Sequence, residues 1–319
     1  MATTRGLCLI FFAAHVICGG VFAQSMLEQE SAKAQGLKLY NQYMGVSAVE
    51  PLRIAAEAGD KTAQYYLGET LRLNNMFMTP EAQKWYEAAA KQGDLFAMLR
   101  LGDSNDLCHS LGTCAGGGPD WREKALSLAY EDAEQGDTEA MRVLYHAGEG
   151  LVWLQKAAEA GDSSAQQQLA SRYKAGEGWF LTTGSRKKEI IKWLKRSAEK
   201  GFAPGMFEYS LAIAPDNVEE ASKWLVRAAN LSYVNAVVEY AANLGGLSET
   251  YKLPQDFLRG SALMRMVVDI SPGDTIRLEM LKEIEQEMNE NELAKSQLLT
   301  DELRAKLPPL SYFVPVYGH

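Results

Sequence analysis

The chain has 319 residues, 47% hydrophobic and 23% charged, a balance that supports a substantial folded core and excludes wholesale disorder. Its 41 acidic against 32 basic residues give a net charge of −9, and the single short basic cluster, Arg186-Lys-Lys188 with Lys192, Lys195 and Arg196, is no footprint for a phosphate backbone. Apart from the N-terminus no stretch is apolar enough to enter a bilayer, which excludes a multi-span membrane protein.

In chain order, Met1-Ala-Thr-Thr-Arg5 precedes an apolar run from Leu7 to Cys18 and then Gly19-Gly20-Val21-Phe22-Ala23. That is the layout of a secretion signal over residues 1–23, with Val21 and Ala23 at the cleavage site. The run is too short to span hydrocarbon, and Ile17 before Cys18 does not suit lipid anchoring. The expected mature chain is therefore periplasmic or secreted. It begins with a capping segment over 24–50, carrying a helix from Gln29 to Tyr43.

Six segments then align without gaps. They are Pro51-Leu-Arg-Ile-Ala-Ala-Glu-Ala-Gly59, Trp85-Tyr-Glu-Ala-Ala-Ala-Lys-Gln-Gly93, Leu128-Ala-Tyr-Glu-Asp-Ala-Glu-Gln-Gly136, Trp153-Leu-Gln-Lys-Ala-Ala-Glu-Ala-Gly161, Trp193-Leu-Lys-Arg-Ser-Ala-Glu-Lys-Gly201 and Trp224-Leu-Val-Arg-Ala-Ala-Asn-Leu-Ser232. Four residues beyond each closing residue stands Ala63, Ala97, Ala140, Ala165, Gly205 or Ala236, and eight beyond it Leu67, Leu101, Leu144, Leu169, Tyr209 or Tyr240. Each Trp has a small residue one helical turn on, and Gly suits a left-handed helix end. The pattern predicts two antiparallel helices per repeat that bury their apolar faces only by stacking on neighbours. The fold class is all-α, an α-solenoid of about six repeats over 51–250.

Ala63-Gln-Tyr-Tyr-Leu-Gly68 and Ala82-Gln-Lys-Trp85-Tyr-Glu-Ala-Ala89-Ala-Lys-Gln-Gly93 carry a resemblance to the Sel-like repeat family, a subclass of tetratricopeptide-like repeats. It covers roughly residues 50–245. The resemblance implies a non-enzymatic protein binder with no cofactor. Exported proteins of this type look like adaptors, host-factor binders or immunity proteins that neutralise toxins such as secreted phospholipases. A small, acidic, unanchored chain suits the immunity role best, with an envelope adaptor as the rival.

Between the second and third repeats runs the loop Gly102–Gly118, which holds Cys108 and Cys114. In an oxidising compartment such a pair is most simply a disulfide. Metal binding by the two thiolates with His109 lacks a fourth ligand, and Gly112-Thr-Cys114-Ala-Gly116 as a nucleophile elbow lacks the flanking strand and helix. Asp103 and Asp106 near His109 make a weak cation candidate.

On the second helix of each repeat, the face opposite the core stripe lines the groove in tetratricopeptide-like arrays. It predicts partner contacts at Tyr65, Glu69 and Arg72, at Phe96, Leu99, Asp103 and Asp106, at Glu139, Arg142, His146 and Glu149, at Gln167, Ser171 and Lys174, and at Phe207, Leu211 and Val238. The last repeats are apolar on that face, so the chain itself is expected to cover it.

Three helices follow Pro254, from Asp256 to Ile270, Thr275 to Asn289 and Glu292 to Lys306, and close the array as a cap over 251–307. The tail Pro308-Pro-Leu-Ser-Tyr-Phe-Val-Pro-Val-Tyr-Gly-His319 reads as a strand-like segment docked on its own protein. Catalytic templates are missing from the sequence: there is no Gly-x-Ser-x-Gly, His-Glu-x-x-His, phosphate loop or dinucleotide fingerprint. Ala175-Gly-Glu-Gly-Trp-Phe180 reads as a turn between repeat helices. A hydrolase built on Cys114 or on His146 with Glu149 is the unfavoured alternative.

Overall fold

A computed structural model describes residues 26–103, 106–107 and 120–317. Among them the secondary structure is helical, with one isolated parallel bridge between Tyr233 and Ser311. The leader over 1–23, the Cys108–Cys114 pairing, His109, the elbow at 112–116 and His319 lie outside the described residues.

The repeat grammar works at the helix junctions. Gly59, Gly93, Gly136, Gly161 and Gly201 close their helices at φ 94°, 85°, 93°, 99° and 90°, a backbone region where a side chain would crowd the following carbonyl. After the first four glycines comes Asp, and its carboxylate caps the next helix. Asp60, Asp94, Asp137 and Asp162 accept the backbone N–H of Ala63, Ala97, Ala140 and Ala165 at 2.8, 2.8, 2.9 and 2.7 Å. These donors are the same alanines that recur in the repeat, each fully buried. One residue thus closes the turn and the next opens the following helix.

The last of the aligned segments departs from this. Ser232 holds the left-handed place at φ 59°, and its buried hydroxyl finds no hydrogen-bond partner among the described residues. Ser232→Gly relieves both costs and is expected to stabilise the protein by about 1 kcal/mol, net of glycine's unfolded-state entropy. The check is the midpoint of urea unfolding; an unchanged or lowered midpoint contradicts the strain.

The chain forms two compact units. The first comprises residues 1–40, 44–97 and 103–117. It contains α1 over 26–40, α2 (Gly45–Glu57), α3 (Lys61–Asn75), α4 (Pro80–Lys91) and the start of α5 (Leu95–Leu101). The sequence expects the first helix to run to Tyr43; it stops at 40, and Tyr43 turns into the left-handed region at φ 56°. Successive helices α2, α3 and α4 pack on one another. Gly68 permits the α3–α4 approach, since a Cβ there would lie 2.9 Å from the Tyr86 ring.

The second unit comprises residues 41–43, 98–102 and 118–319. Its helices are α6 (Trp121–Glu134), α7 (Thr138–His146), α8 (Leu151–Glu159), α9 (Ser163–Lys174), α10 (Thr183–Glu199), α11 (Ala203–Ile213), α12 (Val218–Asn230) and α13 (Val234–Leu244). Three further helices follow, α14 (Phe257–Ile270), α15 (Thr275–Gln286), which ends three residues before the expected Asn289, and α16 (Glu290–Lys306), which starts two residues before the expected Glu292. Each helix packs on the next from α6 through α15, and α16 returns onto α14. The repeat tryptophans carry a cation one turn on: Lys156, Arg196 and Arg227 lie 3.8, 4.8 and 4.7 Å from the rings of Trp153, Trp193 and Trp224. The small residues four after these rings, Ala157, Ser197 and Ala228, are fully buried.

Candidate protein-binding surface

The sequence-predicted contact residues separate by burial. Tyr65, Glu69, Phe96 and Leu99 are interior, with exposures of 2%, 1%, 2% and 1%. In the first unit the Tyr65 ring meets Tyr66, Tyr86 and Phe96 at centroid distances of 5.3, 6.0 and 6.5 Å. The Glu69 carboxylate accepts the Tyr86 hydroxyl at 2.7 Å and Arg72 Nη2 at 3.1 Å. These side chains hold the unit together instead of facing outward. Helical offsets group residues by direction on one helix, and they carry no information about which neighbours pack against that side. Asp106 accepts the backbone N–H of Met78 at 3.0 Å, so its carboxylate orders a loop; Asp103 is half-buried. No group of three or more metal-ligating side chains occurs among the described residues.

In the second unit Glu139, Lys174 and Leu211 are exposed, while Gln167, Ser171, Phe207 and Val238 are half-buried. Arg142 pairs with Asp162 at 3.3 Å, and Gln167 donates to Glu208 and to Ser171. Glu149 accepts the Tyr130 hydroxyl at 2.6 Å. His146, expected as a partner contact, is largely buried, with its ring 5.1 Å from both Tyr145 and Tyr317. Burial pushes its pKa from 6.5 to about 4, and the nearby Arg142, Arg100 and Arg172 push in the same direction. It is therefore neutral at pH 7.

Tyr317 belongs to the tail, which docks on the second unit through main-chain hydrogen bonds and ring contacts. Leu310 O accepts Gln42 Nε2 at 3.0 Å. Ser311 donates its N–H to Ser232 O at 2.9 Å, and its carbonyl accepts the Val234 N–H at 3.0 Å. Tyr312 N–H donates to Asn41 O at 2.8 Å, and Val314 N–H to Asn41 Oδ1 at 3.1 Å. Aromatic contacts alternate with these bonds. Tyr312 lies 4.8 Å from Tyr43, with its hydroxyl held by Arg277. Phe313 lies edge-on to Phe202 and Tyr233 at 5.9 and 5.8 Å. Tyr317 covers the Arg100 guanidinium at 3.8 Å.

Phe202 and Tyr233 are residues that the sequence analysis passed over. They follow the closing Gly201 and Ser232, where the first four repeats have Asp, and neither provides a side-chain cap to its helix. Their rings take Phe313 instead, and the Ser311 carbonyl meets the N–H that opens α13. The signal is visible in the alignment as Asp, Asp, Asp, Asp, Phe, Tyr. A second missed feature is the α9–α10 loop, where Arg186 grips the carbonyls of Tyr173 and Glu177 at 2.8 and 2.9 Å. That loop displays Trp179 and Leu181 with exposures of 82% and 81%.

Helix pairs closed by glycine, each helix packed on the next within its unit, define an α-solenoid repeat protein. The chain has the Sel-like repeat fold. It is similar to c5321, a protective antigen present in uropathogenic Escherichia coli strains that displays this fold. The TM-score is 0.50 at 20% identity, over 88% of this chain and 62% of that one, so this chain spans about three-fifths of the length of c5321. A Sel1 repeat protein from Oxalobacter formigenes aligns with a TM-score of 0.41 at 21% identity, over 87% of this chain and 90% of that one. No protein-family model matches the sequence, and no curated protein matches it. No helix among the described residues is long and apolar enough to cross a membrane.

Proposed function

We propose that this protein is an exported, non-enzymatic scaffold that binds another protein. The observation that carries the reading is the surface on which residues 310–317 lie, which engages polypeptide through main-chain hydrogen bonds and ring contacts. Trp179 and Leu181 add an exposed apolar pair of the kind that anchors interfaces. Within this reading the favoured partner is a toxin, such as a secreted phospholipase effector, that the protein neutralises. The support for that choice is the resemblance in repeat type, the net charge of −9 and the expected export leader; an envelope adaptor is the rival.

The test is capture from native periplasmic and secreted fractions with the tagged chain from residue 24 onward, read by mass spectrometry. One dominant, tightly held partner whose activity falls on binding supports the neutraliser. Several envelope proteins with no activity lost support the adaptor, and substrate turnover by the purified protein overturns the non-enzymatic reading.

A further inference from the structure

We infer that Asn41, Tyr43, Phe202, Ser232, Tyr233 and Val234 form a recognition site for an extended, aromatic peptide segment of a partner, and that residues 310–317 are its resident competitor. This rests on the protein-binding reading and names the chemistry that surface selects.

Three independent observations carry it. The first is the change in repeat grammar. An Asp cap is a cheap and sufficient way to open these helices, and four repeats use it. In the two repeats beneath Phe313 that cap is absent, replaced by rings that need an aromatic guest and by a helix N–H that needs an outside carbonyl. The second is the mode of contact. Among the described residues, five hydrogen bonds hold the tail through its main chain, four to backbone or amide groups of Asn41, Gln42 and Ser232 and one from the Val234 N–H to Ser311 O, while Arg277 and Ser271 hold the Tyr312 hydroxyl. Any extended segment supplies such groups; specificity falls to the rings that meet Tyr43, Phe202 and Tyr233. The third is backbone strain. Non-glycine residues with positive φ among the described residues are Tyr43, Met76, Ser232 and Phe313. Three of the four sit at this contact, and strain kept at one place favours a device with two states.

The tail is also placed to leave. It joins α16 through Leu307 and the exposed Pro308 and Pro309, so release needs no helix to unwind. While tethered it competes at high local concentration. A partner segment therefore needs aromatic side chains spaced as Tyr312 and Phe313 are, in an extended backbone, and it gains affinity when the tail is weakened.

The experiment uses a fluorescein-labelled peptide of residues 308–319 and fluorescence anisotropy. The proteins are the full chain, the full chain with Phe313→Ala and Tyr317→Ala, and that variant with Phe202→Asp and Tyr233→Asp added. The tail-weakened variant is expected to bind the peptide at least tenfold tighter than the unaltered chain. The added Asp pair, which restores the cap found in the other repeats, is expected to abolish binding while circular dichroism shows the helices intact. Equal affinity for the first two proteins, no binding to a helical tail-weakened variant, or binding that survives the Asp pair each overturns the inference. Sedimentation that shows dimers formed by tail exchange also overturns it, in favour of a second copy as the occupant. Because the probe is a synthetic peptide, this assay can fail while the capture experiment succeeds, and the reverse.

Discussion

Glu69→Ala is expected to destabilise the protein by about 3–5 kcal/mol, the range found when one partner of a buried ion pair is deleted. Glu69 is 1% exposed on α3 and meets the hydroxyl of Tyr86, which is fully buried, and the guanidinium of Arg72. Removing the carboxylate takes away the acceptor of the buried Tyr86 hydroxyl and a partner of Arg72, whose side chain is 12% exposed. Glu69→Gln keeps an acceptor for Tyr86 and removes the charge, so it is expected to fall between Ala and the unaltered chain. Urea unfolding of the three proteins checks the order. A loss under about 1 kcal/mol for Ala, the value for an exposed pair, contradicts the buried network.

Acidification supplies the second large effect. His146 is held at about 4 in the folded protein, against 6.5 when unperturbed. The unfolded chain therefore binds more protons between those values, so stability rises with pH across that window. The contribution is complete above 6.5 and is lost as pH falls through 4, amounting to about 3 kcal/mol at most. The positive charges of Arg142, Arg100 and Arg172 add to the effect of burial in disfavouring the imidazolium. Phe at position 146 keeps the ring contact with Tyr317 and removes the titration. Its unfolding free energy is expected to change less between pH 7.5 and 4.5 than that of the unaltered chain. Identical slopes for the two proteins would falsify the assignment.

Local chemistry made much of the fold legible. Closing glycines, buried alanines and tryptophans with a small residue one turn on all act within a single helix or a single turn, and the helices appear where that grammar puts them. The three helices after Pro254 follow for the same reason. Tyr65, Phe96 and Leu99 are expected on an outward face and are buried in the core instead, because burial depends on what packs against a helix and not on its own periodicity. The tail was expected to dock on its own protein, but its address was not legible. Asn41, Ser232 and Ser311 are far apart in sequence, and no pattern of period two or 3.6 links them. Only the change from Asp to Phe202 and Tyr233 marks the place in the sequence, and it gains meaning once the lost helix caps are seen.

The docking of the tail is the claim on which the binding surface depends, and amide hydrogen exchange tests it most directly. In the full chain the N–H groups of Ser311, Tyr312 and Val314, each donating to Ser232 or Asn41, are expected to exchange far more slowly than in the free peptide. The Val234 N–H, which donates to Ser311, is expected to lose protection when residues 308–319 are removed. Tail amides that exchange at the free-peptide rate, with Val234 unaffected by the truncation, would contradict the account.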